Sequence, residues 1–400
     1  MPKFLGKIEF PVTVELGKGL EGAITNLTKI GYVDGEAGHL VYRGYTIEEL
    51  CEHSNYAEVA YLLIFGKLPT SAEIAGFGAK LQAAAALPPA VVKVIDALPR
   101  DCSPMNALQT AVAAAGCVDR EGPVITTHAS DPINAVEVET NVGIRVLSLT
   151  RTAAAFLARI REGGTIVQPD PALSFASNYY YMMTGKKPDA ITAKVMDVLL
   201  ILQADHGMNA STFTAMVVHS SMSDMYSTVA AAIGSLRGPL HGAANQAALD
   251  DLLTVGSPEN AKTWVADRMA KSQKVMGFGH RVYKAYDPRA TVLKRYAEML
   301  CKAHGKEKLF HTAAAIEENV MAAMKAAGKP IFPNVDFYSG VVYHVLGFAA
   351  PFFPVIFAVG RTAGWVARVL EYLPENRIFR PRAVYTGEME QKYVPIGERR

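Results

Sequence analysis

The sequence predicts an all-α fold with a minor β segment near its N-terminus. Two observations carry this prediction. Over a dozen segments after the first 45 residues have helical periodicity, capping residues or glycine stops, and no βαβ alternation accompanies them. No G-x-G-x-x-G follows a predicted strand and no G-x-x-x-x-G-K-[ST] occurs, which disfavours Rossmann and P-loop enzymes.

The β segment is predicted from two short patterns. Lys7–Leu16 alternates polar and apolar residues around Pro11, as an edge strand does. Asp34-Gly35 lies between Ile30–Val33 and Leu40–Tyr42, which predicts a small hairpin.

Capping and stop signals place the helices. Thr46 with Glu49, and Thr70 with Glu73, have the spacing of a capping box. Further helices are predicted at Met105–Val118 after Ser103-Pro104, at Asn141–Glu162 before Gly163-Gly164, from about Ala243 to Leu253, after Ser257-Pro258, from Asp287-Pro288 to near Gly305, at Thr312–Ala327 and at Val359–Leu373.

Charge and cysteine usage narrow the functional class. Forty Lys and Arg against 38 Asp and Glu give a net charge of +2, with no run of five like charges, so a nucleic-acid partner is not expected. Cys51, Cys102, Cys117 and Cys301 lie far apart, as buried free thiols of a reducing compartment do.

No membrane span or targeting segment is expected. The longest apolar stretch, Leu346 to Gly360, is short and contains Pro351 and Pro354. The N-terminus has neither an apolar signal core nor a transit-peptide composition, so we expect a cytoplasmic protein.

Four clusters place polar residues in apolar or glycine-rich surroundings. His206 follows the apolar helix segment Val195–Leu202, and His241 lies at or just before the start of a helix, where the dipole disfavours an imidazolium. His280 follows Gly277-Phe278-Gly279, whose glycines allow close backbone approach to a ligand. Asp336 lies between Val335 and Phe337, where its pKa should rise as a general base requires; the alternative is a helix N-cap.

Three arginines complete the candidate site. Arg289 follows Asp287-Pro288, while Arg361 and Arg380 lie in apolar surroundings. A buried guanidinium needs an anionic partner, and Arg361 has no acidic residue nearby in sequence. An anionic ligand or a distant protein carboxylate would serve. The whole set predicts a site for a di- or tricarboxylate with proton chemistry, and no metal-ligand spacing occurs.

These residues resemble those of the citrate synthase family. The segments GPLHGAAN, GFGHRVY followed by DPR, PNVDFYSG, and FAVGRTAG followed by RPR occur in that family's order. The likeness extends to VDGEAGHLVYRGYTIEEL and ADHGMNASTF and so spans nearly the whole chain.

The resemblance implies a two-domain helical fold around a cleft that closes on oxaloacetate. The large domain would comprise residues 1–241 and 342–400, and the small domain residues 242–341. It also implies a dimer or a hexamer built of dimers, of which a homodimer with active sites shared between subunits is favoured. Oxaloacetate and acyl-CoA would be the substrates, and no cofactor is expected.

The resemblance also implies residue roles. Asp336 would remove a methyl proton from acetyl-CoA, His241 would donate to the enolate oxygen, and His280 would polarise the oxaloacetate ketone. The carboxylate ligands would be His206, Arg289, Arg361 and Arg380, the last acting in the neighbouring subunit. The CoA contacts would be Val275, Gly277, Gly279 and Lys284.

Some positions depart from the family pattern. The family usually reads HGGANE, whereas Ala243 and Gln246 occur here, and Met216 and His219 stand where relatives often carry Arg and Ala. His219 is expected to be a packed or surface residue. A 2-methylcitrate synthase using propionyl-CoA is therefore an alternative, and one methylene is worth only about 1–3 kcal/mol in a pocket. A metal-dependent hydrolase and a non-catalytic helical scaffold are further alternatives.

Overall fold

A computed structural model describes residues 17–20, 22–119, 132–242, 244–388 and 390–399. Within these ranges the chain forms sixteen α-helices and one three-stranded sheet. The helices are α1 Ile47–His53, α2 Tyr56–Phe65, α3 Ser71–Ala83, α4 Pro89–Ala97, α5 Pro104–Gly116, α6 Pro132–Arg161, α7 Phe175–Thr184, α8 Ala190–Gln203, α9 Ala210–Ser220, α10 Met225–Leu236, α11 Ala244–Val255, α12 Pro258–Ala270, α13 Pro288–Ala303, α14 Glu307–Ala326, α15 Val335–Val345 and α16 Phe353–Tyr372. The all-α prediction is confirmed; the predicted strand Lys7–Leu16 lies outside the described residues.

The predicted hairpin is confirmed, and a third short strand extends it. Strands β1 Gly31–Asp34, β2 His39–Tyr42 and β3 Tyr45–Thr46 form an antiparallel sheet in the order β1-β2-β3. The Asp34 carboxylate closes the turn by accepting from the backbone N–H groups of Glu36 and Ala37, at 3.0 and 2.9 Å.

The helix caps follow the sequence signals in part. Thr70 and Glu73 form a complete capping box, with both side chains bonded to the other residue's backbone N–H. Thr46 accepts from the Glu49 N–H, but no returning bond from Glu49 is found among the described residues. Ser103 makes no side-chain cap, and Pro104 alone marks that helix start.

Three helices begin earlier than predicted. α6 begins at Pro132 rather than Asn141, and α14 begins at Glu307 rather than Thr312, because polar residues interrupt the apolar periodicity of the added segments, PINAVEVET and EKLFH. α16 begins at Phe353 rather than Val359, because Pro354 occupies the first turn, where proline does not break a helix.

α16 is the central core helix. The stretch Ala350–Glu375 is the one described segment long and apolar enough to cross a membrane by length and composition, and 94% of its apolar window is buried within the protein. It packs against α2, α6, α8 and α9, as a core helix does. The helix that contains the end of the predicted apolar stretch continues past Gly360 to Tyr372.

Helices α11 to α15 pack on one another, and α13 also contacts α1 and α8. The predicted domain division at residues 241 and 341 stays a prediction. Close helix approach is found at α5 and α10, where a Cβ on Gly234 would lie 2.8 Å from the Gln109 side chain.

All four cysteines are free, but Cys117 is exposed at the end of α5, so its predicted burial is wrong.

Candidate active site

His206 lies in the segment between α8 and α9 and is buried. Its Nε2 is 3.1 Å from the Tyr283 hydroxyl, and its ring centroid is 5.3 Å from that of His280. Burial, followed by the charges of Arg289 and Arg361, holds the pKa of His206 well below its usual range. The imidazole is therefore neutral.

His241 lies three residues before the first residue of α11, as predicted. Its Nε2 is 3.3 Å from the Ser211 backbone nitrogen and 2.9 Å from the Ser211 hydroxyl. Because a backbone N–H can only donate, Nε2 accepts, and the proton of the neutral ring lies on Nδ1. Burial, followed by Arg361, lowers the pKa of His241 to about 4.

His280 has the opposite tautomer. Its Nδ1 accepts from the backbone N–H groups of Val282 and Tyr283, at 3.0 and 3.1 Å, so the neutral ring carries its proton on Nε2. Burial, followed by Arg289, lowers the pKa of His280 to about 4. Nη2 of Arg289 lies 3.3 Å from this Nε2. Both nitrogens carry hydrogens, so the pair is complementary to an acceptor oxygen.

Arg289 is held by a carboxylate two residues before it. Asp287 accepts from Nε of Arg289 at 3.0 Å and from Nη2 at 2.8 Å, and both residues are buried. The same carboxylate caps α13 and lies 3.3 Å from the Val335 backbone nitrogen at the start of α15. In the sequence, Asp287 indicates only the start of a helix, so its pairing with Arg289 was not predicted.

Asp336 is the second residue of α15 and is half-buried. Asn334 caps this helix by accepting from the Asp336 backbone N–H at 3.0 Å, so the alternative that Asp336 is the N-cap is wrong. Burial raises the pKa of Asp336 to about 6, against the lowering effect of Arg289. No hydrogen bond or ion pair found in the described part of the chain uses its carboxylate.

Arg361, on α16, is only 1% exposed. Its Nε donates to the Gln203 carbonyl, and its guanidinium lies 4.9 Å from the Phe357 ring centroid. No carboxylate of a described residue forms an ion pair with it, because nearby Asp205 is paired with Arg368. Burial lowers the pKa of Arg361 to about 10, which leaves it charged at neutral pH. The prediction that Arg361 is buried and has no acidic partner nearby in sequence is confirmed.

The 275–279 loop is tied to the start of α15. The Asn334 N–H donates to the Gly277 carbonyl at 2.9 Å, and its side-chain amide donates to the Gly279 carbonyl at 2.8 Å. Gly277 has φ +80°, and a Cβ there would lie 2.8 Å from Phe337. Glycine is therefore required, and the predicted ligand-approach loop lies beside Asp336.

Three predicted site residues lie apart from this cluster. Val275 is buried beneath its loop, and Lys284 is exposed with its ammonium paired to Glu36 on the β1–β2 turn. Arg380 is exposed, so its predicted apolar surroundings are wrong for the single chain: Phe379 stacks on Tyr372 while Arg380 faces outward.

The departures from the family pattern are structurally mild where described. Met216 and His219 are buried in α9, with His219 Nδ1 3.2 Å from the Thr228 hydroxyl, as expected of a packed residue. Gln246 is exposed on α11, and Ala243 lies outside the described residues. Across the described ranges, no group of three or more His, Cys, Asp or Glu side chains is placed to hold a metal ion, so the hydrolase alternative gains no support.

Comparison with known proteins places the chain among close relatives. The family model described as "Citrate synthase, C-terminal domain" matches residues 19–382. Citrate synthase of Deinococcus radiodurans is 42% identical over 384 residues, covering 96% of this chain and 99% of the relative. The crystal structure of citrate synthase from Pyrobaculum aerophilum superposes with a TM-score of 0.88 at 41% identity, covering 96% of this chain and 95% of the other. A ternary complex of Thermoplasma acidophilum citrate synthase with carboxymethyl coenzyme A and oxaloacetate has a TM-score of 0.87 at 33% identity, covering 97% and 100%.

Proposed function

Because this chain belongs to the citrate synthase family, it condenses acetyl-CoA with oxaloacetate to give citrate and CoA, and we propose that the cluster around Asp336 carries out this reaction. One observation carries the assignment of the site. A buried guanidinium without a protein carboxylate, that of Arg361, lies within electrostatic reach of two neutral imidazoles, His206 and His241. Such a site is complementary to a dicarboxylate and suits enolate chemistry.

The first step is removal of a methyl proton from acetyl-CoA. The Asp336 carboxylate takes the proton, and the C–H electron pair forms the carbon–carbon double bond of the enolate. A base with a pKa of about 6 is ionised at neutral pH and is still basic enough for the transfer. The Nδ1 hydrogen of His241 donates to the thioester oxygen as negative charge develops there.

The second step forms the new carbon–carbon bond. The enolate carbon attacks the ketone carbon of oxaloacetate, and the carbonyl electron pair moves to oxygen. Nε2 of His280 and Nη2 of Arg289, which lie 3.3 Å apart, both carry hydrogens and stabilise that alkoxide. The alkoxide is protonated to the hydroxyl of citryl-CoA, which balances the proton that Asp336 removed. Water then hydrolyses the thioester, its hydroxyl going to the acyl carbon and its proton to the CoA thiolate, which releases citrate and CoA.

Substrate carboxylates are bound by the charged and polar walls of the cleft. Arg361 is the main receptor, with Arg289 and His206 beside it. The CoA moiety lies against the loop of Val275, Gly277 and Gly279, and Lys284 contacts a CoA phosphate only after it leaves Glu36.

We also propose a homodimer in which Arg380 completes the partner subunit's site. The support is the exposure of Arg380 and of apolar residues on the same C-terminal segment, with Ile378 59%, Tyr385 58% and Ile396 79% exposed. A second copy covering this segment would bury them. Sedimentation of the protein tests this: a dimer supports it, and a fully active monomer contradicts it.

The proton transfer and the carbon–carbon bond formation are assigned to protein side chains, so we propose that no cofactor is needed. Activity unchanged after dialysis against a chelator supports this, and activity restored by an added metal contradicts it. A cytoplasmic location is also proposed, for which the four free cysteines are the support.

The experiment for the proposed function follows release of the CoA thiol from acetyl-CoA and propionyl-CoA, each with and without oxaloacetate. The comparisons do not favour the 2-methylcitrate alternative, so we expect oxaloacetate-dependent release with a higher kcat/KM for acetyl-CoA. The matched control is Asp336→Asn, which keeps the shape of the base but cannot accept the proton. Equal release without oxaloacetate, or full activity of the control, contradicts the proposal.

A further inference from the structure

Two buried arginines on α16 lie near one buried carboxylate. Arg361 and Arg368 are seven residues apart, which is about two helical turns, so they lie on the same face of α16. Both are almost fully buried, as is Asp205. Arg368 donates hydrogen bonds to both carboxylate oxygens of Asp205, with Nε–Oδ1 3.0 Å and Nη2–Oδ2 2.7 Å. Arg361 forms no hydrogen bond with either oxygen and donates instead to the Gln203 carbonyl.

Close packing of α16 keeps Asp205 within reach of Arg361 as well. A Cβ on Gly364 would lie 2.1 Å from the Ala204 carbonyl oxygen, so α16 lies directly on this segment. Nε of Arg361 donates to the carbonyl of Gln203, only two residues before Asp205. The Asp205 charge also opposes the lowering of the Arg361 pKa that burial causes, which is consistent with this proximity.

Other contacts fix Arg368 in place. Its Nη1 donates to the Thr28 hydroxyl at 2.9 Å, and that hydroxyl donates to Glu371 at 2.6 Å. The Gly207 backbone N–H lies 3.2 Å from Oδ2 of Asp205. The Arg368–Asp205 pair therefore has bidentate and flanking hydrogen bonds. Among the described residues, the Arg361 guanidinium has one hydrogen bond, to the Gln203 carbonyl, and its contact with the Phe357 ring.

We propose that Arg368 is a positioning residue which retains the Asp205 carboxylate and thereby keeps Arg361 available for a carboxylate of oxaloacetate. This inference rests on the proposed function, in which Arg361 is the carboxylate receptor. An arginine already paired with an internal carboxylate must break that ion pair before it binds a substrate. Without Arg368, the buried carboxylate of Asp205 would be left unpaired and would form an ion pair with the nearby guanidinium of Arg361.

The test is a rescue experiment on the full-length enzyme. In Arg368→Met, Asp205 turns to Arg361, and we expect the oxaloacetate KM to rise at least about tenfold, as for loss of one charged hydrogen bond, with kcat and the acetyl-CoA KM nearly unchanged. Adding Asp205→Asn removes the competing charge. The double variant should therefore return the oxaloacetate KM to within about threefold of the wild-type value.

A purely structural role for Arg368 would also lower kcat and raise the acetyl-CoA KM, whereas the proposal confines the change to the oxaloacetate KM. If Arg368→Met does not fold, Arg368→Lys is used instead and is compared with the same double variant. Lysine keeps the positive charge but lacks the bidentate geometry of the guanidinium. The matched control is Arg43→Met, because Arg43 pairs with Glu371 rather than Asp205, and its oxaloacetate KM should stay at the wild-type value.

The outcomes separate this proposal from the function on which it rests. An unchanged oxaloacetate KM in the folded Arg368 variant, or a double variant without rescue, overturns the proposal while Arg361→Met still weakens oxaloacetate binding. An unchanged KM in Arg361→Met instead contradicts the role of Arg361 in the proposed function.

Discussion

Arg289 and Arg361 face the same cluster of side chains but are supported in opposite ways. Arg289, at the start of α13, is held by a bidentate bond to Asp287, two residues away. Arg361, within α16, is equally buried, yet it contacts a carbonyl and an aromatic ring and no described carboxylate.

Arg289 therefore positions neighbouring side chains of the site, whereas Arg361 is placed to bind the negative charge of a ligand. The pair with Asp287 also binds the start of α15, so Arg289 fixes the relative placement of His280 and Asp336. Arg361 holds a buried charge without an internal partner, which is costly in the free protein and favours binding of an anion.

Arg289→Met should give the largest effect, a loss of about 3–5 kcal/mol in the free energy of unfolding, because Asp287 is left as a buried unpaired charge. Denaturant unfolding of the variant measures it. Asp287→Asn with Arg289→Met is the control and should recover much of the loss. A single variant as stable as the wild type would mean that Arg289 is not a structural partner.

His241→Ala should lower kcat by about 10²–10³-fold while the oxaloacetate KM stays near the wild-type value, because only the oxyanion donor is removed. Steady-state CoA release measures it. Ser211→Ala is the control: it keeps the backbone N–H that fixes the His241 tautomer and should cost far less. Near-normal turnover of His241→Ala would exclude this residue from the chemistry.

The pH dependence of kcat/KM for acetyl-CoA should show the titration of one ionisable group on its acid side. With a pKa of about 6, Asp336 is protonated at lower pH and cannot accept a proton, so kcat/KM for acetyl-CoA should fall about tenfold per unit below pH 6. His241 and His280, with pKa values of about 4, remain neutral across this window. A profile that stays flat down to about pH 5 in a folded enzyme would contradict the assignment of Asp336.

Arg361→Met should change stability least, by less than about 1 kcal/mol or in the favourable direction, because it removes a buried charge that has no internal counter-ion. Denaturant unfolding beside Arg289→Met gives the contrast directly. A loss as large as that of Arg289→Met would show that Arg361 has a structural anionic partner.

Much of this site follows from sequence because its residues interrupt apolar or glycine-rich segments. His206, His241, His280, Arg289, Arg361 and Asp336 were all expected in one site, and the structure brings them together. The hairpin and most helices followed from local turn and cap chemistry. The starts of α6 and α14 were missed because polar residues interrupt the apolar periodicity there.

What sequence could not supply depends on contacts between distant segments. The tautomer of His241 is set by Ser211, and the pairing of Asp205 is set by Arg368, more than 150 residues away. In a segment without helix or strand, the sequence pattern does not show which way a side chain points. Arg380 was therefore expected to be buried because its sequence neighbours are apolar, and the structure shows it exposed.

The most direct test of this account is calorimetric titration of oxaloacetate into the wild type and into Arg361→Met. The account predicts clear binding by the wild type and at least about tenfold weaker binding by the folded variant, as for loss of a charged hydrogen bond. Equal affinity in the two proteins would contradict it, because the buried guanidinium would then have no part in holding the substrate.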